Sequence, residues 1–142
     1  MTFITPEQIA SVMALVNIPH SFAELDELVS HGLPKNALKA SVDRVCKNAE
    51  DRKHLLYRII PEATYKRRRD KLSAEESGRA ERLARVYATA RYVWNSDNDA
   101  QSFLQTPHPM LQSQTPLDVS MTELGARRVE DLLWKLYYGI AA

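Results

Sequence analysis

The stretch that decides the fold, residues 115–142, has the sequence TPLDVSMTELGARRVEDLLWKLYYGIAA. From residue 129 onward its apolar positions recur at the i, i+3, i+4, i+7 spacing of a helix that buries one face. These positions are Val129, Leu132, Leu133, Leu136, Tyr137 and Ile140. We therefore expect the stretch to contain an amphipathic helix that begins after the capping residue Thr122.

A second stripe of side chains lies on the opposite face of this helix. It consists of Arg127, Asp131, Trp134 and Tyr138. Large amphipathic aromatic side chains are common anchors of protein interfaces, so this stripe predicts a partner-binding surface. The alternative is that Trp134 and Tyr138 pack under a neighbouring helix of the same chain.

Helix signals continue through the rest of the chain. Thr5, Ser21 and Ser73 each begin a capping box, in which a Glu or Gln three residues later completes the cap. The third box opens the longest expected helix, which runs to about Asn95. Two prolines make Thr106–Gln114 a fixed loop that is neither helix nor central strand. No segment has a convincing strand pattern, so the expected fold class is all-α.

The apolar faces of the first two helices follow from the same periodicity. The first face should hold Ile9, Val12, Met13 and Val16, and the second should hold Phe22, Leu25, Leu28 and Val29. We expect all of these side chains to lie in the core.

Two short helical segments, Ala49–Ile59 and Glu62–Asp70, flank an Ile-Pro pair in the layout of a helix-turn-helix. The second segment would then enter the major groove of DNA. Its candidate DNA-binding residues are Thr64, Lys66, Arg67, Arg68, Arg69 and Lys71. The arginines would contact phosphates, with Thr64 and Lys66 nearest the base edges, while Tyr65 should lie in the core. The alternative is a solvated helix end whose cations favour the C-terminal dipole.

Composition bounds the class of protein. The chain has 142 residues, of which 44% are hydrophobic, and this is enough to form a sizeable core. Its net charge is +1. The sequence has no apolar run of about 20 residues and no secretory signal, which predicts a cytoplasmic protein. Cys46 is the single cysteine, sits in an apolar pattern and is expected to be a small core residue.

Residues that could carry catalysis are scattered. The four histidines are far apart in the sequence, no zinc-ligand spacing occurs, and four glycines form no phosphate-binding loop. We therefore predict no catalytic residue, no metal ligand and no cofactor. His108, between two prolines, is expected to hold its loop rather than to contact a partner.

Many separated motifs of the second half recur together in order. They are Leu72-Ser73-Ala74-Glu75-Glu76-Ser77, Arg79, Arg82-Leu83-Ala84-Arg85-Val86, Phe103-Leu104, Pro107, Leu111, Thr115-Pro116-Leu117-Asp118, Thr122-Glu123, Gly125-Ala126-Arg127, Val129-Glu130, Leu132-Leu133 and Tyr138-Gly139. This set resembles the toxin-binding domain of Xre/MbcA/ParS-type antitoxins. Upstream, Gly32-Leu33-Pro34, Ala37-Leu38 and residues 60–68 resemble the divergent helix-turn-helix half of the same family.

The resemblance implies an N-terminal helix-turn-helix-like bundle, residues 1–71, followed by a helical toxin-binding domain, residues 72–142. It implies an antitoxin of a type II toxin–antitoxin module that blocks the active site of a RES-type, NAD-consuming toxin. The tail that would cover the toxin cleft is Tyr138, Gly139, Ile140, Ala141 and Ala142. The family also implies a homodimer formed through the C-terminal half and repression of its own operon through operator DNA.

Two other functions remain open from the residues. One is a stand-alone helix-turn-helix transcriptional regulator, which the cations of Lys66–Lys71 favour. The other is an interaction module that does not bind DNA, which Glu62-Ala63 favours because members of the family that the chain resembles often carry basic residues at this place. The aromatic C-terminal tail favours the antitoxin over both.

Overall fold

The computed structural model describes residues 4–139, and this part of the chain is all-α, as the sequence predicts. The helices are α1 (Pro6–Val12), α2 (Phe22–His31), α3 (Asn36–Val45), α4 (Ala49–Ile59), α5 (Glu62–Arg67), α6 (Ala74–Trp94), α7 (Asp97–Gln105), α8 (Pro116–Val119) and α9 (Glu123–Tyr137), with a 3-10 turn at Pro109–Leu111. Within the described residues, β pairing is limited to two isolated antiparallel bridges.

The chain packs as two compact units, Met1–Arg85 and Val86–Ala142. Units of packing and units of function need not share a boundary. The functional division between residues 71 and 72 therefore stays a prediction.

Side-chain caps fix the starts of the helices. The Thr5 hydroxyl accepts from the Gln8 N–H at 3.1 Å, and the Gln8 side chain accepts from the Thr5 N–H at 2.8 Å. Ser73 and Glu76 form the same reciprocal pair at the start of α6, at 3.1 and 2.9 Å. Each cap satisfies N–H groups that a helix leaves without an internal partner. These predicted starts are confirmed.

Some residues predicted to lie on the buried apolar faces of the first two helices are exposed instead. Helix α1 ends at Val12 because Ala14 takes a left-handed conformation, φ 53°, which turns the chain away from the helix axis. Val16 is consequently 93% exposed instead of lying in the core. On α2 only Leu25 is buried, whereas Phe22 is 51% exposed.

The core of the first unit lies among α1, α3 and α4. Its most deeply buried large side chains are Ile9, Met13, Leu33, Leu38, Val42, Val45 and Ile60. Cys46 is buried beside them, and burial, with the nearby Asp51 carboxylate, raises the pKa of its thiol to about 11. The prediction that Cys46 is a core residue is confirmed.

The helix-turn-helix layout is present, but α5 is shorter than predicted. It ends at Arg67 because Arg68 adopts extended backbone and its N–H closes the last turn on Thr64 and Tyr65. The chain then forms a bridge in which the Lys35 N–H donates to the Asp70 carbonyl and the Leu72 N–H to the Leu33 carbonyl, both at 2.9 Å. Residues 68–71 therefore lie outside the helix, in a segment that bends at Arg69 and Asp70 and is held by the bridge at Lys71.

The second unit is built on Tyr87, Leu104, Leu111 and Leu133, all 2% exposed or less. The loop Thr106–Gln114 contains one 3-10 turn that the sequence did not predict. The turn forms because Pro109 stands at its first position, where a missing N–H costs nothing. The His108 ring caps it, with Nδ1 accepting from the Met110 N–H at 3.0 Å, as expected of a residue that holds its loop.

Candidate partner-binding surfaces

Three aromatic side chains at the C-terminal end of α9 and one from α6 form one contact network, which we call the aromatic cluster: Trp134, Tyr137, Tyr138 and Tyr92. Their ring centroids are 5.8 Å apart for Tyr92 and Trp134, 5.5 Å for Tyr92 and Tyr137, and 5.7 Å for Trp134 and Tyr137. Tyr138 stands edge-on to Tyr137 at 5.2 Å. These separations lie in the favourable range for aromatic pairs, so each ring helps to hold the next in place.

The cluster remains open to solvent in spite of its internal contacts. Tyr137 is 43% exposed and Tyr138 is 53% exposed. The expectation that Tyr137 belongs to the buried face of α9 is therefore wrong, because its ring turns outward onto Tyr92. A hydrogen bond with Tyr137 raises the pKa of the Tyr92 hydroxyl, so Tyr92 stays neutral at physiological pH.

The predicted second stripe of α9 is present, with one change. Arg127, Asp131 and Tyr138 are exposed, whereas Trp134 is half-buried because it packs against Tyr92 of α6. Trp134 thus packs in part against another helix of the same chain, and its role in partner binding stays a prediction. Gly139 has φ 71°, a backbone conformation that ends the helix. Ile140, Ala141 and Ala142 lie outside the described residues.

An apolar groove of about 350 Å³ lies in the same unit. Its apolar lining includes Trp94, Phe103, Pro107 and Leu136, with His108 at one side. Trp94 and Phe103 contact each other at a ring separation of 5.9 Å. No sequence pattern predicts this groove, because its walls come from α6, α7, α9 and the proline loop, which no single periodicity connects.

The predicted DNA-binding residues separate into two groups. Arg68 belongs to the first, because its guanidinium donates two hydrogen bonds to the Glu76 carboxylate, at 3.0 and 2.9 Å. These bonds hold the pKa of Glu76 below its usual range, against the opposing effect of burial. The Arg68 carbonyl also accepts from Lys35 Nζ at 3.2 Å. Arg68 therefore ties the segment after α5 to the capping box of α6.

The second group presents its charge to solvent. The side chains of Arg67, Arg69 and Lys71 are exposed and make no ion pair with any residue between 4 and 139. We call these three residues the exposed cations. Lys66 is also exposed, but its ammonium lies 2.6 Å from the Glu62 carboxylate on the same helix. Thr64 is half-buried.

Tyr65 is a core residue, as predicted, with 8% of its surface exposed. Its hydroxyl donates to the Lys35 carbonyl at 3.4 Å, and the Lys35 ammonium lies 4.4 Å from the ring centroid. This packing fixes the angle at which α5 leaves the body of the unit.

The described residues give no site for metal chemistry, since no three His, Cys, Asp or Glu side chains among residues 4–139 come together as ligands. Likewise, none of the helices formed by these residues is long and apolar enough to cross a membrane. The surfaces that remain as candidate sites are binding surfaces: the aromatic cluster with its neighbouring groove, and the exposed cations.

Comparison with protein families assigns both halves of the chain. Residues 24–85 match the antitoxin Xre-like helix-turn-helix domain, and residues 89–139 match the antitoxin Xre/MbcA/ParS C-terminal toxin-binding domain. A search of curated proteins finds no significant match. The first match contains the exposed cations, and the second contains the whole aromatic cluster. The chain therefore belongs to the Xre/MbcA/ParS antitoxins, with a helix-turn-helix domain ahead of a toxin-binding domain.

Proposed function

We propose that this antitoxin neutralises a RES-type, NAD-consuming toxin by covering the active-site cleft of the toxin with the end of α9 and the residues that follow. The observation that carries the proposal is the aromatic cluster, in which three exposed or half-exposed rings stand together next to the helix end. A homodimer formed through the C-terminal half would also bind operator DNA and repress the operon that encodes it.

The aromatic cluster has the properties of a binding hot spot. Trp and Tyr are enriched among the residues whose truncation most weakens protein interfaces. Because Tyr92, Trp134 and Tyr137 already hold one another in place, binding would immobilise few additional side chains, which lowers its entropic cost. Arg127 and Asp131 are exposed two turns and one turn, respectively, before Trp134 on the same helix, where they can supply polar contacts at the rim.

The DNA-binding part of the proposal rests on the exposed cations. They lie at the last residue of α5, the second helix of the helix-turn-helix, and in the segment directly after it, where phosphate contacts can position such a domain on its site. A two-fold symmetric dimer would place two copies of this segment on the two halves of a palindromic operator. Repression would follow from occupancy of the promoter.

One observation favours the alternative of an interaction module that does not bind DNA. Glu62 opens α5 and pairs with Lys66 at 2.6 Å, so the helix presents a carboxylate where a phosphate or base edge would lie. In that case Lys66 would stabilise α5 through its ion pair with Glu62 and would not contact the operator. The salt dependence of DNA binding, described in the Discussion, separates the two possibilities.

The experiment that tests toxin neutralisation is co-expression with the toxin encoded by the adjacent reading frame. The full chain should restore growth and cellular NAD, whereas a chain without residues 139–142 should restore neither while keeping its helical content and thermal stability. Leu124→Ala is the matched control, because Leu124 is exposed on α9 and lies far along the helix from the cluster.

The outcomes separate the parts of the proposal. Growth rescue without any change in NAD would overturn the RES assignment and leave an antitoxin against another toxin class. Full rescue by the truncated chain would overturn the covering of the active-site cleft. If the truncation unfolds the protein, the terminal residues belong to the core and the proposal fails at that point.

A further inference from the structure

The α1–α2 connection, which precedes the helix-turn-helix match, forms an apolar groove together with α2 and the residues after it, which lie within that match. Residues 1–23 precede both matches. Two adjoining hollows of about 380 and 210 Å³ run between the α1–α2 connection and α2, and they share Asn17 and Leu28 as lining residues. Val16 lines one hollow and is 93% exposed, while Ile18 lines the other and is 43% exposed.

The ionisable side chains that line this groove are two carboxylates and one histidine. Glu24 and Glu27 line the larger hollow beside Ile18 and Leu28. Residues 1–34 contain four acidic side chains and no Lys or Arg, whereas all twelve cations of the first 71 residues come later. His31 lines the same hollow, with Nε2 3.8 Å from the Glu27 carboxylate. The groove therefore combines apolar walls with a rim on which carboxylates outnumber basic side chains.

We infer that this groove binds a positively charged amphipathic helix of another protein. Its two hollows in a row suit two apolar side chains from one stripe of such a helix, and its rim suits the Lys or Arg residues that flank the stripe. Opposite charge at the rim steers association, while the apolar anchors supply most of the affinity.

A second copy of this chain fits the groove poorly. Groove-to-groove pairing across a two-fold axis would bring Glu24 and Glu27 against their own equivalents, and like charges at an interface cost affinity. The basic part of the chain supplies the right charge but no anchor, because between residues 35 and 71 no large apolar side chain is among the exposed ones. A heterologous partner satisfies both requirements.

The test uses synthetic helical peptides of about 18 residues, long enough to form a helix when bound. One carries a Leu stripe flanked by Lys, the second carries the same stripe flanked by Glu, and the third is a shuffled Leu/Lys sequence without a stripe. Binding to the full-length protein is measured by fluorescence anisotropy at several salt concentrations. We expect the Leu/Lys stripe peptide to bind at least roughly tenfold more tightly than either other peptide.

Matched substitutions on α2 and the α1–α2 connection locate the binding site. Ile18→Ser and Glu27→Lys should each weaken binding of the Leu/Lys peptide by at least roughly fivefold. The controls are Phe22→Ser and Asp26→Lys, since both residues are exposed and neither lines the groove. Circular dichroism of each variant confirms that it is folded.

Each outcome decides the inference. Equal binding of the Leu/Glu or shuffled peptide, equal effects of the control substitutions, or no binding of the Leu/Lys peptide would overturn it. Sedimentation of the protein alone gives the remaining outcome. If Ile18→Ser changes the oligomeric state and leaves peptide binding intact, the groove is occupied by a second copy of the chain and the inference is wrong.

Discussion

Single replacements of the three arginines at the end of α5 and just after it should change the salt dependence of operator binding differently, according to which arginine is already ion-paired within the protein. Each phosphate contact contributes about 0.9 to the slope of log K against log salt concentration. Arg67→Ala and Arg69→Ala should therefore each lower the slope by about 0.9 per bound protomer. Arg68→Ala should leave the slope unchanged, because both of its hydrogen bonds go to Glu76.

The magnitude is large enough to measure. Between about 50 and about 200 mM salt, one contact with this slope changes affinity by about 3.5-fold. A variant that lacks all three arginines should lose about 1.8 units of slope per protomer, whereas three equivalent contacts would give about 2.7. The assay is fluorescence anisotropy with a DNA fragment from upstream of the operon, at four or more salt concentrations.

Lys135→Ala is the control for this assay, because Lys135 is an exposed cation of the toxin-binding domain. It should change neither affinity nor slope. A loss of slope in Arg68→Ala equal to that in Arg67→Ala would refute the reasoning, since it would mean that the Arg68–Glu76 pair opens on DNA. An unchanged slope in all three variants would show that the segment is a solvated helix end.

Three further predictions follow from the same structure. Gly125→Ala should lower the free energy of unfolding by about 2 kcal/mol or more, since the added Cβ would lie 1.7 Å from the Val119 carbonyl oxygen. Gly78→Ala should raise the free energy of unfolding by about 0.5 kcal/mol or more, because a Cβ added there would meet no atom within 4 Å. Glu76→Gln should be less stable than wild type at neutral pH, and this difference in the free energy of unfolding should shrink as the pH falls. The pKa of Glu76 lies below its ordinary value of 4.5, so its ionised carboxylate stabilises the fold fully above pH 4.5 and loses that contribution at lower pH. Tyr138→Ala should weaken toxin binding by at least roughly tenfold, and Leu124→Ala should not.

Chemical denaturation at neutral pH checks the glycine pair, and the same measurement at a series of acidic pH values checks Glu76. Calorimetric titration with the toxin checks Tyr138. Equal stability of the two glycine variants would show that the contact at Gly125 relaxes easily. If the difference in the free energy of unfolding between Glu76→Gln and wild type stays constant down to strongly acidic pH, the ionised Glu76 carboxylate does not stabilise the fold as we expect.

The helix starts were predictable from sequence because a cap is a local interaction. Thr5, Ser73, Thr115 and Thr122 each accept a hydrogen bond within three residues, and each can be recognised without knowledge of the fold. Helix ends were less predictable. Val16 continues the apolar period of α1, but nothing in that period reveals that the chain turns at Ala14.

The candidate sites show the same limit. The aromatic residues of α9 could be identified by their spacing, but the ring that packs against Trp134 comes from α6, more than 40 residues earlier in the chain. The basic run was visible in the sequence, but its division into one structural arginine and three exposed cations depends on Glu76. Contacts between distant segments decided which predicted residues remain exposed.

The rate at which Cys46 is chemically labelled measures how often the core of the first unit opens. Cys46 is the single cysteine of the sequence, and its thiol is buried with a pKa near 11. At pH 8 only about one buried thiol in a thousand is ionised, so a thiol-specific reagent reacts almost entirely with molecules in which this core has opened. The labelling rate of unmodified protein therefore reports how often α3 and α4 separate, and any ligand that holds them together should slow it.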